Sequence, residues 1–258
     1  MADVTPPACD PALLAGVEAL VRQAGAVALE GFRRPDLAVS RKADGTVVTD
    51  YDRAVEGVLR QGIAASFPDD GVLGEEEAEV VGTTGRRWIL DPIDGTSPYV
   101  RGVVTWGLLV ACEDEHGVLL GVVACPWADQ TVVAGRGLGC REDGRPAAPS
   151  GRREVEGAVL ATSGIEHWSP GTFGRLEEAG VRVRTWGNAY GLALAATGRV
   201  DAFFDAAVKP WDIAPAPVLM AEAGGCFATL DGSGSLTSGT ALRCGEPLLA
   251  PLLALFRG

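Results

Sequence analysis

The chain has 258 residues, 47% of them hydrophobic and 22% charged, and 22 Lys+Arg against 34 Asp+Glu leave a net charge of −12. That balance belongs to a globular protein of one large domain or two packed halves, and it argues against nucleic acid or an anionic membrane surface as a partner. No uninterrupted run of about 18 apolar residues marks a membrane span. The opening MADVTPPACDPALL places acids and prolines where an export signal needs basic and then apolar residues, so a cytoplasmic chain with reduced thiols is expected. Its six cysteines are scattered without a C-x-x-C, and there are only two histidines, which leaves no Cys/His zinc pattern.

Residues 11–33 carry apolar side chains at helical spacing behind Pro11, and they predict an amphipathic helix. Residues 34–50 read as a polar loop. A second helix is expected over 52–66, capped near Asp50 or Asp52. A turn and a short strand follow in FPDDGVLGEEE, then a compact strand RRWIL at 86–90 that stops at Asp91-Pro92. From 103 to 136 the β-branched runs VVTWGLLVACE, GVLLGVVACP and QTVVAGRG predict sequential antiparallel strands. The turn-rich stretch 139–151 is the expected division, giving an N-terminal half over 1–145 and a C-terminal half over 146–258. The second half alternates strand and helix: GAVLATS, GTFGRLEEAG, VRVRT, GNAYGLALAATG, VDAFFD, IAPAPVLMAEAG, CFATL and a final helix EPLLAPLLALF. Such alternation predicts layered α/β architecture.

The densest chemistry lies in W88-I-L-D-P-I-D-G-T96. Asp91 ends an apolar strand and Asp94 follows three residues later, close enough for both carboxylates to face one point. Gly95 and Thr96 open the next segment, where backbone N–H groups can hold an anion. Acids repel a phosphate that amides attract, and a divalent cation between them resolves the conflict. Glu75, at the end of the V72-L73 strand, and Asp212, at the start of a helix, complete an all-oxygen set suited to Mg²⁺ or Mn²⁺. Taken singly, Glu75-Glu76-Glu77 reads as a solvated surface and Asp212 as a helix cap. The joint occurrence gives them meaning. No C-x₅-R nucleophile signature is present. His116 reads as an exposed turn residue, and both histidines fall outside the motifs. G135-R-G-L-G139 lacks dinucleotide-loop spacing.

These motifs resemble, in order and along nearly the whole chain, those of the inositol monophosphatase superfamily, which includes histidinol-phosphate phosphatases. The matching segments are K42-A-D-G-T-V-V-T-D-Y-D52, G74-E-E76, W88-I-L-D-P-I-D-G-T96, G135-R-G-L-G-C-R-E-D-G144, G187-N-A189, A196-T-G-R-V-D-A-F-F-D205 and W211-D-I-A-P215. The resemblance implies an α/β (α+β) fold, a layered α-β-α-β-α sandwich, and Mg²⁺-dependent hydrolysis of a small phosphate monoester. It also implies a homodimer. It assigns Glu75, Asp91 and the carbonyl of Ile93 to a first metal, and Asp94 and Asp212 with a bridging Asp91 to a second, in a site of two or three ions. It assigns Asp52 and Thr96 to the attacking water, with Glu76 behind them, and the Gly95 and Thr96 amides to the phosphate.

Asp205, Asn188 and Ala189 match the substrate pocket, and Arg184 is placed to pair with Asp205 or to line the rim. The histidinol-phosphatase branch often carries an acid where Asn188 stands, and an acid there suits a substrate ammonium group. Asn188 therefore leaves room for inositol, cyclitol, sugar or nucleoside phosphates. The competing readings are a nucleotide-directed phosphatase, including one for 3′-phosphoadenosine 5′-phosphate, and a catalytically silent binding module on the same scaffold.

Overall fold

A computed structural model describes residues 6–258, so the first five residues of the acidic, proline-bearing start lie outside the described part. Helix α1 (Pro11–Gly31) begins where the Asp10 side chain accepts the Ala12 N–H. Leu14, Val17, Val21, Ala24 and Ala28 recur every three or four residues and form its buried stripe. By length and composition α1 is the one helix among the described residues apolar enough to cross a membrane, although Glu18 and Arg22 interrupt its apolar run. Its stripe already has a partner, because it packs on the helix Asp50–Ser66 and on the larger sheet.

Residues 34–50 are not loop throughout. They contain an antiparallel hairpin, β1 (Val39–Arg41) and β2 (Val47–Thr49), joined by a turn in which Gly45 takes φ +87° and the Asp44 carboxylate accepts the Thr46 N–H. The Asp-Gly pair was the missed turn signal. Helix α2 (Asp50–Ser66) is capped by Thr49, not by Asp50 or Asp52. The Thr49 hydroxyl accepts the Tyr51 and Asp52 N–H groups, and the Asp52 carboxylate accepts the Thr49 N–H in return.

Strands β3 (Gly71–Gly74) and β4 (Arg87–Asp94) are parallel neighbours. β4 does not stop at Asp91-Pro92 but runs on to Asp94. After the short helix α3 (Thr96–Val100) come β5 (Gly107–Asp114), β6 (Gly117–Cys125), β7 (Gln130–Gly135), β8 (Gly139–Glu142) and β9 (Arg145–Pro146), each antiparallel to the strand before it. Together they make a seven-stranded sheet ordered β3-β4-β5-β6-β7-β8-β9. His116 sits in the exposed turn between β5 and β6, as expected.

The second half contributes β10 (Val159–Ala161), α4 (Thr172–Glu178), β11 (Arg182–Arg184), α5 (Asn188–Ala196), β12 (Ala202–Ala206), α6 (Pro210–Ile213), α7 (Ala216–Ala223), β13 (Cys226–Ala228), β14 (Thr240–Cys244) and α8 (Glu246–Arg257). Strand β14 was not foreseen, and the single helix expected from Asp212 onward is divided into α6 and α7. The five-stranded sheet is ordered β11-β10-β12-β14-β13, parallel around β10 and antiparallel around β14.

Side-chain alternation stacks these elements. Leu108, Val110, Leu120 and Val122 face α1 and α2, whereas Leu109, Val123, Val132 and Ala134 face α5 and α7. On β12, Phe203 faces the same inner helices, and Ala202 and Phe204 face α4 and α8 with Leu176, Leu248 and Phe256. The order is α1/α2, seven-stranded sheet, α5/α7, five-stranded sheet, α4/α8: the α-β-α-β-α sandwich.

One buried acid ties α2 to the loop after β3. Glu56 is fully buried on the α2 stripe, where its carboxylate accepts Arg60 Nε at 2.7 Å, the Glu76 N–H at 2.8 Å and the Glu77 N–H at 3.1 Å. Glu56→Ala leaves Arg60 and two amides without that partner. The expected loss is about 3 kcal/mol, a fall in Tm of roughly 6–12 °C for a chain of this size, and Glu56→Gln should lose less. Thermal unfolding checks it, and an unchanged Tm in Glu56→Ala would remove the carboxylate from this role.

Candidate active site

The site begins with a register defect. Asp91 pairs with Leu109 and Asp94 with Gly107, so β4 advances three residues while β5 advances two. In a regular strand, residues three apart point to opposite faces. The extra residue, beside Pro92 with its missing N–H, brings both carboxylates to the inner face. Asp212, on α6, then approaches from the second half. Oxygens of Asp91, Asp94 and Asp212 lie within 4.8 Å of one another. Asp212 is held in place by the Lys209 N–H at 2.7 Å. Asp91 is buried and its Oδ1 has no hydrogen-bond partner. A buried acceptor without a donor is the feature a cation would satisfy.

Glu75 stands beside this cluster. Its oxygen takes the Lys42 ammonium at 2.7 Å, and the same ammonium reaches Glu76 at 2.6 Å. Lys42 rides on the β1–β2 turn, so the hairpin places a positive charge at the edge of an acidic cleft. Burial opposes the charge on Lys42, but its bonds to the two glutamates prevail and hold it above the usual lysine range.

On the other side, Asp52 accepts the Thr49 N–H at 2.8 Å and Thr49 Oγ1 at 2.6 Å on one oxygen. The other oxygen lies 3.0 Å from Thr96 Oγ1, which is also 3.2 Å from the Ile93 carbonyl. Gly95 takes φ +94°, and a Cβ there would meet the Thr105 carbonyl at 2.9 Å and the Asn188 amide at 3.0 Å. Only glycine fits between them.

A cavity of about 260 Å³ opens from Asp94 and Asp212 toward β12. Asp205, Asn188, Ser163, Phe203, Glu166 and His167 line it. Asp205 accepts the Ser163 N–H at 2.8 Å. Asn188 donates Nδ2 to the Thr105 carbonyl at 2.8 Å. Two expected pocket residues stand elsewhere. Ala189 is fully buried, packed toward Gly107 on β5. Arg184 is exposed on the edge strand β11 and donates to the Val183 carbonyl. The cation beside Asp205 is Arg243, with Nη1 at 3.4 Å from Oδ2. Arg243, Glu56 and His167 were all missed. Glu56 had a legible signal, a charge on the apolar stripe of α2, whereas Arg243 lies on a strand that was itself not foreseen.

Burial dominates the electrostatics, and at Asp91 and Asp94 charge crowding adds to it. Burial, and then the neighbouring Glu75, Asp94 and Asp212, push the Asp91 carboxyl well above the carboxylate range. Burial and then Asp212 do the same to Asp94. Asp52, Glu76 and Asp212 are raised, chiefly by burial. Burial raises Glu75 to about 7 against the pull of Lys42.

The five alternating layers, with carboxylates converging where the two sheets face each other, define the layered sandwich of the sugar-phosphatase type. The sequence matches the profile of the inositol monophosphatase family over residues 11–254. It is 38% identical over 227 residues to the histidinol-phosphatase of Chlorobaculum parvum, covering 86% of this chain and 88% of the relative. It is 31% identical over 247 residues to the inositol-1-monophosphatase of Rhizobium meliloti, covering 92% of each. The extragenic suppressor protein suhB from Bartonella henselae superposes with a TM-score of 0.88 at 26% identity, over 95% of this chain and 98% of that one. The chain belongs to the inositol monophosphatase family and is a phosphoric monoester hydrolase.

The raised carboxyls set a pH dependence. A carboxyl with a higher pKa folded than unfolded holds more protons in the folded state, so its contribution to stability falls as pH rises. For Glu75 the fall runs from the usual carboxylate range to about pH 7. A divalent cation competes with those protons. Mg²⁺ should therefore raise Tm more at pH 8 than at pH 5.5. Without metal, Asp91→Asn should melt above the wild type at pH 8 by about 1 kcal/mol, roughly 2–4 °C. Thermal melts at both pH values, with Mg²⁺ and with chelator, check this. A wild-type Tm that ignores Mg²⁺ at pH 8 would contradict it.

Proposed function

We propose that the protein is a Mg²⁺-dependent phosphatase that hydrolyses a small phosphate monoester, of the class of histidinol phosphate, inositol monophosphate or a sugar or cyclitol monophosphate. One observation carries the reading: Asp91 Oδ1 is buried without a donor among Asp94, Asp212 and Glu75. Oxygen-only donors of this density suit a hard divalent ion. Glu75, Asp91, Asp94, Asp212 and the Ile93 carbonyl are the groups that would hold Mg²⁺, with Mn²⁺ as a substitute. Bound there, the ions would offset the acids and the phosphate and lower the pKa of a bound water.

The chain's own groups do the remaining work. Thr96 Oγ1 donates to Asp52, which turns the hydroxyl lone pairs outward to accept from a water. Asp52, held by two donors from Thr49 on its other oxygen, takes the Thr96 hydroxyl proton as Thr96 Oγ1 takes one from the water. Its raised pKa favours proton acceptance. The Gly95 and Thr96 amides face the phosphate. Water oxygen adds to phosphorus as the ester P–O bond breaks, and the departing alcohol takes a proton. Glu76 acts at a distance, holding Lys42 beside Glu75. Asp205 and Asn188 hold the alcohol.

Phosphate release from a panel of histidinol phosphate, inositol 1-phosphate, hexose phosphates, 3′-phosphoadenosine 5′-phosphate and nucleoside 5′-monophosphates, with Mg²⁺ and with chelator, tests the reading. Mg²⁺-dependent release that chelator abolishes is expected, and no release from any ester would overturn it. Asp52→Asn should lower kcat by about 10²- to 10⁴-fold with KM little changed, as for loss of a general base. Steady-state kinetics on the best ester measures this, and a wild-type kcat in Asp52→Asn would remove the residue from the chemistry.

A further inference from the structure

Arg243 is the feature that the metal and water machinery leaves unexplained. It lies on β14 directly across from Phe203 of β12, on the face turned toward α5 and the cleft. Its neighbours in the strand, Leu242 and Cys244, face outward into the α4/α8 layer. The inner position is 1% exposed, a place where an apolar residue costs least. Instead a guanidinium lies 4.5 Å above the Phe203 ring, with Nη1 3.1 Å from the Ala241 carbonyl and 3.4 Å from Asp205 Oδ2, while Nε has no partner. Asp94 and Asp212 are the other charges that act on it.

We propose that Arg243 is a positioning and specificity-determining residue that holds Asp205 and cancels its charge, so that the pocket selects a neutral polyhydroxylated alcohol over an ammonium-bearing one. The proposal rests on the phosphatase reading of the site. An ammonium group is bound best by an unpaired carboxylate, and a buried guanidinium at 3.4 Å both pairs Asp205 and repels the incoming cation. Asn188 adds no charge, and its Nδ2 is already committed to Thr105. Its carbonyl oxygen and the Asp205 carboxylate remain as acceptors for hydroxyl groups. Phe203, Ala206, Ala207 and Val208 supply the apolar wall. Glu166 stands exposed at the rim beside His167, where solvent screens its charge.

Glycerol 1-phosphate and serinol phosphate, which differ by a hydroxyl against an ammonium on carbon 2, test the proposal directly. The wild type should favour glycerol 1-phosphate by about tenfold in kcat/KM, the factor that 1.4 kcal/mol gives. R243M should shrink or reverse that ratio by about tenfold, and R243K should keep it. The double variant D205N/R243M removes both charges and should restore the preference for the hydroxyl ester, which covers the case of an R243M chain that fails to fold. A wild-type preference for serinol phosphate would overturn the proposal, as would a folded R243M with an unchanged ratio. Calorimetric binding of the same two esters with Ca²⁺ in place of Mg²⁺ reads the charge preference without turnover. Absence of hydrolysis would therefore count against the phosphatase reading alone, while the binding ratio still decides the role of Arg243.

Discussion

Like charges held at close range in a half-dry cleft are the constraint on which the structure depends. Asp91, Asp94 and Asp212 approach within 4.8 Å with Glu75 alongside. Left to themselves they would repel, and burial raises the penalty. Three devices bring them together: the bulge in β4, the Lys209 amide on Asp212, and the Glu56 carboxylate that pins the Glu76 and Glu77 amides behind Glu75. Each draws on packing elsewhere. The bulge sits in a sheet buried on both faces, and Glu56 sits on the stripe by which α2 joins the core. The fold holds the acids in readiness for a counter-charge that it does not itself provide in full.

The partial counter-charges are placed with some selectivity. Lys42 reaches Glu75 and Glu76 from a hairpin at one edge, and Arg243 reaches Asp205 from the sheet on the other side. Neither touches Asp91. The one unpartnered buried oxygen of the cluster is thereby left at its centre. The Asp52–Thr96 pair and the Gly95 turn, packed against Thr105 and Asn188, complete the surroundings. The proposed function uses this arrangement: central acids for the ion, Asp52 and Thr96 for water, and the β12 side for the alcohol.

Much of this was legible in the sequence where chemistry coincided with a strand end or a helix start. Asp91, Asp94 and Asp212 stand beside Pro, Gly and Trp in short motifs, and the alternating second half announced its strands and helices. The rest was hidden for physical reasons. Period-2 alternation puts Asp91 and Asp94 on opposite faces, and only pairing with β5 reveals the bulge that corrects it. Thr49 caps α2 by a reciprocal bond that reads in sequence as one more polar loop residue. Strand β14 is five residues with a charge at the fourth, T-A-L-R-C, which carries almost no strand signal of its own; its place comes from pairing with β12 and β13. Arg184 was expected to pair with Asp205 or to line the rim, yet parallel pairing of β11 with β10 puts it on the sheet edge, and Arg243 stands beside Asp205 instead.

The central claim is that the crowded acids exist to hold divalent cations. Titration with Mn²⁺ in the presence of inorganic phosphate, followed by electron paramagnetic resonance of the free ion, tests it most directly. Saturable uptake that Mg²⁺ displaces and that Asp91→Asn weakens by an order of magnitude or more is the predicted result. Linear, unsaturated loss of free Mn²⁺, the same in wild type and Asp91→Asn, would contradict it.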